Sequence, residues 1–163
     1  TTVLSSGVAC PSPTAITGMR VLCNAVKDAG SRAQLLSESG RVSALLSAAA
    51  KQTSSGHKLV RGALAALLTN LVHAQSTLPA GLSATIVQIA LSLLTAETES
   101  TDVIVRCCLA IGTLAMTGEF KSTGGQGQLA DVCAKVNSVK QAWVTKLGDK
   151  SVCVDELMHI LKR

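Results

Sequence analysis

The chain has 163 residues, a formal net charge of +5 and a 47% hydrophobic share, enough for one compact core or for about four helical repeats. One Trp, one Phe and no Tyr leave the apolar content to Ala, Leu and Val, which pack helices closely; sheets recruit aromatic and β-branched side chains, so an all-α fold is expected. The positive balance leans towards an acidic partner or serves solubility, but there is no Lys/Arg run and almost no aromatic surface for bases to stack on, which disfavours nucleic acid.

Taken in order, residues 1–11 read as an irregular Ser/Thr/Gly-rich lead and residues 12–163 as a helical repeat domain. Ser12-Pro13 is a helix start, after which Ile16, Met19, Leu22, Cys23 and Val26 recur at helical spacing up to a stop at Gly30. A short helix capped by Ser31 and ending near Gly40 follows, then another over 41–51 and a polar turn over 52–56. A long helix is predicted over 57–74, with Leu64, Leu67, Leu68, Leu71 and Val72 on one side. Leu78-Pro79 opens the next element, whose helix begins at Gly81 or Ser83 and ends at Thr95. Asp102 reads as the cap of a helix over 103–117. Residues 121–128, with three glycines, read as the most mobile loop, and helices over 129–136, 139–147 and 151–162 complete the chain.

A phrase repeats along this layout. Leu22-Cys23-Asn24-Ala25-Val26 returns as Leu68-Thr69-Asn70-Leu71-Val72, more faintly as Ile111-Gly112-Thr113-Leu114-Ala115, and weakly as Leu157-Met158-His159-Ile160-Leu161. The spacing is about 43–46 residues, within the period of armadillo and HEAT solenoids, in which stacked units share one core and present an extended binding surface. Each period reads as a short, a middle and a long helix, with the phrase in the long one: the three-helix layout of an armadillo repeat. The chain lacks an initial Met and enters the pattern at its last helix, so it reads as a piece of a longer protein.

At 100° per residue, side chains seven or four positions before the repeated polar residue lie within about 40° of it, and those three after within about 60°. Around Asn24 this face holds Arg20 and Lys27; around Asn70, Ala63, Ala66 and His73; around Thr113, Arg106, Leu109 and Met116; after His159, Lys162. Arg61 points about 180° away from Asn70 and is expected to act as a surface charge outside the ladder. Asn amides can hold an extended peptide backbone through both donor and acceptor, and Arg can fork onto carboxylates. The candidate peptide-binding residues are therefore Arg20, Asn24, Lys27, Asn70, His73, Arg106 and Thr113. The competing reading has the two asparagines capping neighbouring loops and the arginines in helix-surface ion pairs.

Catalytic and metal-binding patterns are not present. His57, His73 and His159 are scattered, the first two at opposite ends of one predicted helix and the third in another, no H-E-x-x-H or Cys/His metal spacing occurs, and Gly124-Gly125-Gln126-Gly127 has neither the strand nor the Lys-Ser/Thr of a phosphate loop. Six cysteines, with Cys107 and Cys108 adjacent and no C-x-x-C, read as buried reduced thiols in a reducing compartment. The most apolar stretch, residues 59–72, is too short to span a bilayer and is broken by Arg61 and Asn70. The expectation is a non-catalytic monomer without cofactor or metal, without nucleic-acid or membrane partners, in the cytoplasm with the nucleus as a second setting.

Met19-Arg20-Val21-Leu22-Cys23-Asn24, the segment 64–72 with Asn70, and Arg106-Cys107-Cys108-Leu109-Ala110-Ile111-Gly112-Thr113-Leu114 resemble successive phrases of the PUL domain, the armadillo-like domain of the phospholipase A-two-activating protein family. The resemblance covers about residues 12–162, with N-terminal repeats expected to be missing. It implies a right-handed armadillo-like solenoid of about three to four repeats. It further implies a basic concave groove that binds the acidic C-terminal tail of the valosin-containing AAA ATPase, the ubiquitin-selective segregase. Carried over, that groove would use Arg20, Asn24, Asn70 and Arg106. The alternative is an armadillo-like scaffold that packs against another domain or protein without a tail peptide.

Overall fold

A computed structural model of the chain describes residues 12–53, 58–73, 78–79, 81–96, 100–117 and 126–162. Among them the chain forms eight α-helices, one 3-10 turn and no strand: α1 (Ser12–Ala25), α2 (Ala29–Ser37), α3 (Ser39–Thr53), α4 (Lys58–His73), α5 (Leu82–Ala96), α6 (Thr101–Met116), α7 (Gln126–Leu147), the 3-10 turn Gly148–Lys150, and α8 (Ser151–Leu161). The fold is an all-α, armadillo-like solenoid.

The helices stack in two layers. In one, α1 packs on α4, α4 on α6 and α6 on α8; in the other, α3 packs on α5 and α5 on α7. Within a repeat the layers meet as α3 with α4, α5 with α6, and α7 with α8, while α2 leans on α3. The four helices carrying the repeated phrase are thus consecutive rungs of one layer. Their apolar stripes build the core: Met19, Cys23 and Val26 from α1; Leu64, Leu67, Leu68 and Leu71 from α4; Ile104, Cys107, Cys108 and Ile111 from α6; Val154, Leu157 and Leu161 from α8. Each fully buried leucine of α4 contributes about 1.5–3 kcal/mol relative to exposure.

Several boundaries differ from those read in the sequence. Gly30 does not end α1; the helix stops at Ala25, and Asp28 in extended conformation caps α2 by accepting the Ser31 N–H at 2.7 Å. A carboxylate at that position satisfies an orphan donor and complements the helix dipole, so Asp28 displaces Ser31 as the cap. The same bond holds the Asp28 carboxyl below the usual carboxylate range. The following helix likewise ends at Ser37, before Gly40, which falls in the first turn of α3. Asp102 lies inside the first turn of α6, whose N-cap is Ser100.

The three-helix layout holds for α2–α3–α4 only; among the described residues the later periods are helix pairs. The expected break near residue 137 is absent because α7 runs unbroken from Gln126 to Leu147. Val132, Val136, Val139, Trp143 and Leu147 keep one buried stripe through the Asn137-Ser138 step, which carries no Gly or Pro to stop it. Residues 121–125 of the expected loop lie outside the described residues, and 126–128 open α7. The reversal into α8 is made by Gly148, whose φ of +50° is left-handed and strained for any residue with a Cβ.

Gly112 sits in the interior of α6 facing α8. A Cβ built there would meet Leu157 Cδ1 at 3.5 Å and Ile160 Cδ1 at 3.8 Å, ordinary contact distances. Gly112→Ala should therefore stabilise the chain by about 0.5–1 kcal/mol, because the helix interior loses glycine's excess backbone entropy without a clash. The measurement is the urea midpoint; a lower midpoint than wild type would contradict this reading of the α6–α8 contact.

A candidate peptide groove across three rungs

Where α1, α4 and the start of α6 meet, a cleft of about 490 Å³ opens to solvent. Its walls are Arg20, Cys23 and Asn24 from α1, Lys58 and Leu59 from the first turn of α4, and Ser100 and Val103 at the entry to α6. Gly62, Ala63 and Ala66 line it from α4; their small side chains leave the space open. Arg20 and Asn24 are exposed, and so is Leu59, 62% of whose surface faces solvent.

Two of the expected residues reach this region through hydrogen bonds between rungs. At the end of α1 the Lys27 N–H turns to the Asn24 carbonyl at 3.2 Å, in the tighter 3-10 register. The Cys23 carbonyl in turn accepts the Asn70 side-chain amide from α4 at 3.2 Å. Asn70 thus caps the C-terminal end of α1, half-buried, with its amide nitrogen engaged. Beside it, the Thr69 hydroxyl lies 2.9 Å from the Ala65 carbonyl and 3.1 Å from the Arg106 carbonyl of α6, tying the next pair of rungs together.

Arg106 is half-buried. Its Nε donates to Asp102 Oδ2 at 2.8 Å, an i,i+4 ion pair at the helix surface worth a few tenths of a kcal/mol. That bond uses one of the five guanidinium donors. The Cys23 thiol senses the surrounding cations: burial pushes its pKa up, while Lys27 and Arg106 oppose the rise. Arg20, Cys23 and Asn24 line the cleft together, Asn70 is tied to the Cys23 carbonyl beside it, and Arg106 stands on the next rung, outside the cleft lining.

The remaining expected residues contribute less. Lys27 is exposed just past α1, its Nζ 3.4 Å from Asn24 Oδ1. His73 is exposed at the last residue of α4. Thr113 is half-buried, and its hydroxyl bonds back to the Leu109 carbonyl of its own helix at 2.9 Å. Arg61 is absent from the cleft lining, but it is not a surface charge. It is buried to 5% exposure, because Val60, Leu64 and Leu68 set the buried stripe of α4 and Arg61 falls within its edge. Leu59, Lys58, Gly62, Ser100 and Val103 were not among the expected lining. Leu59 was within reach, since eleven residues before Asn70 lies about 20° from it on a helix; the two residues from the α6 entry carry no such periodic signal.

A second cleft of about 480 Å³ lies in the other layer, between Leu94 and Thr95 of α5 and Val139, Trp143 and Lys146 of α7. There Lys146 Nζ stands 4.9 Å from the Trp143 ring centroid in a cation–π contact. The first cleft, with Arg20 and Lys58 in its walls, is the better match to an anionic ligand. Among the described residues no group of three or more His, Cys, Asp or Glu is placed to hold a metal ion. No described helix is long and apolar enough to cross a membrane.

No curated protein and no solved structure matches the chain. A family model does: that of the PUL domain aligns with residues 1–154, a span that runs past all of α1–α7 into the first turn of α8. The chain therefore belongs to the PUL domain family of helical protein-binding domains, and its stack of helices is a protein-interaction module.

Proposed function

We propose that the chain is a non-catalytic adaptor module whose cationic cleft binds an acidic C-terminal peptide, the tail of the valosin-containing AAA ATPase being the occupant that family membership suggests. Through it the ATPase would be linked to ubiquitin handling in the cytoplasm, and in the nucleus as a second setting. The observation that supports this reading is the cleft lined by Arg20, Asn24 and Lys58, with Asn70 bonded to the Cys23 carbonyl beside it and Arg106 on the adjacent rung. An extended peptide laid across the rungs would place its carboxylates near Arg20 and the terminal nitrogens of Arg106, and an apolar side chain against Leu59. Lys27, exposed beside Asn24, would extend the positive rim, His73 beside Asn70 would offer a ring hydrogen-bonding group, and Thr113 would mark the far rung.

The scaffold alternative draws on two observations, the Asn70 cap and the Arg106–Asp102 pair, both of which occupy side chains with purely structural bonds. A titration separates the two. A fluorescent peptide with several carboxylates and a free C-terminus should bind saturably, and its affinity should fall between low and physiological salt because partly exposed charges contribute. Asp102→Asn should tighten binding, since it removes the carboxylate that competes for Arg106. A peptide held no better than its neutral Asn/Gln counterpart would overturn the adaptor reading in favour of the scaffold.

A further inference from the structure

The contact between α6 and α8 brings two thiols together. Cys108 is buried on α6, Cys153 is half-buried in the first turn of α8, and the Cys108 S–H donates to Cys153 Sγ. The register of the two helices puts both thiols on the seam between them. Four residues beyond Cys108, Gly112 lacks a side chain, and the vacated space is filled by Leu157, four residues beyond Cys153. The pairs Cys108–Cys153 and Gly112–Leu157 advance together by four residues, so α6 and α8 run parallel and in step here.

Cys153 has the surroundings of a reactive thiol rather than of a core residue. It stands at the third position of an 11-residue helix, where the orphan N–H groups of the first turn and the positive end of the helix dipole favour an anion. Its S–H donates to the Lys150 carbonyl at 2.8 Å, which pins it at the helix start and favours the protonated thiol. The Cys108 hydrogen bond is the largest influence and, with the backbone N–H groups of Cys153 and Val154, brings its pKa down to about 7 against partial burial and the nearby Glu156 carboxylate. The Cys108 thiol is pushed up correspondingly, first because its proton is the one shared and then by burial. One thiol is acidic and reachable; its partner is protonated, shielded and in contact with it.

We propose that Cys153 and Cys108 form a redox-responsive dithiol, in which Cys153 is the attacking thiol and Cys108 resolves the adduct into a disulfide that locks α8 onto α6. With a low-molecular-weight disulfide as oxidant, the Cys153 thiolate attacks one sulfur, forms a mixed disulfide and expels the other half as a thiolate. Cys108 then loses its proton and attacks Cys153 Sγ, closing the protein disulfide and releasing the second half as a thiol. Two protein thiols are oxidised, one small disulfide is reduced to two thiols, and the protons lost by the protein are those gained by the leaving groups. Closing the bond brings the two sulfurs to about 2.05 Å.

The test uses the reduced full chain treated with oxidised glutathione at pH 7, quenched with N-ethylmaleimide and digested with trypsin. The expected product joins the peptide of residues 107–121 to that of residues 151–162, with fragmentation placing the bond on Cys108 rather than Cys107. Cys153 should react about threefold faster than an ordinary exposed thiol, its larger thiolate fraction being partly offset by the weaker nucleophilicity of a more acidic sulfur. Cys153→Ser should abolish the cross-link, and Cys108→Ala should leave glutathione held on Cys153. The wild-type map decides the matter without either variant. Glutathione that stays on Cys153 without a cross-link, a bond from Cys153 to any other cysteine, or reaction of Cys153 no faster than the buried Cys23 would overturn the proposal.

Discussion

Arg20→Ala and Arg106→Ala should each weaken an acidic C-terminal peptide by about 1.5–3 kcal/mol, roughly 10- to 150-fold in Kd. Each removes a charge-assisted, fork-shaped donor set at a partly desolvated place, and the peptide carboxylate it served is left against less polar surroundings. Lys135→Ala supplies the comparison: Lys135 is exposed on α7, in the other layer, and its loss lowers the net charge by the same unit. Its effect should be a few tenths of a kcal/mol. Equal losses for Lys135 and the two arginines would mean that bulk charge, not the cleft, holds the peptide.

Leu64→Ala should cost about 2–5 kcal/mol of folding stability, the range for a fully buried leucine whose cavity can only partly collapse. Arg61→Ala, one turn earlier on α4, should cost about 2 kcal/mol or more, although the side chain is charged. Its aliphatic stem fills buried space, so truncation leaves a void in the stripe. Peptide affinity per folded molecule should be unchanged by Arg61→Ala, since Arg61 does not line the cleft. Urea unfolding followed by circular dichroism reads the first quantity and titration of the folded fraction the second. A stability loss of only a few tenths for Arg61→Ala would show that its burial carries no energetic weight.

The parts of this fold that were readable in advance are those that depend on period alone. The apolar stripe of α4 and the recurrence of its phrase in α1 and α6 specify stacked helices, because a helix buries what falls on one side and a repeat buries what its neighbour leaves open. The same arithmetic picked out Arg20, Asn24, Ala63 and Ala66, all of which line the cleft. Caps were less legible: Asp28 and Ser31, or Ser100 and Asp102, are both good cap residues two or three positions apart, and the choice depends on which one the chain turns at. The burial of Arg61 was missed because a charge on the edge of an apolar stripe is covered or exposed according to the neighbouring helices, which one helix's periodicity does not contain. The inter-rung bonds of Asn70 and Thr69 were illegible for the same reason.

Those bonds bear on how such a surface could be re-engineered. The position that repeats through the array does different work in each unit: Asn24, exposed on α1, accepts from Lys27 Nζ, Asn70 is spent on the neighbouring helix end, and Thr113 folds back on its own backbone. An array in which one position per unit reads one residue of the ligand can be reprogrammed by exchanging units like letters. This one cannot, because moving the unit that carries Asn70 would also uncap the unit before it. Altered specificity would have to be written into the side chains around the mortared positions, leaving the mortar in place.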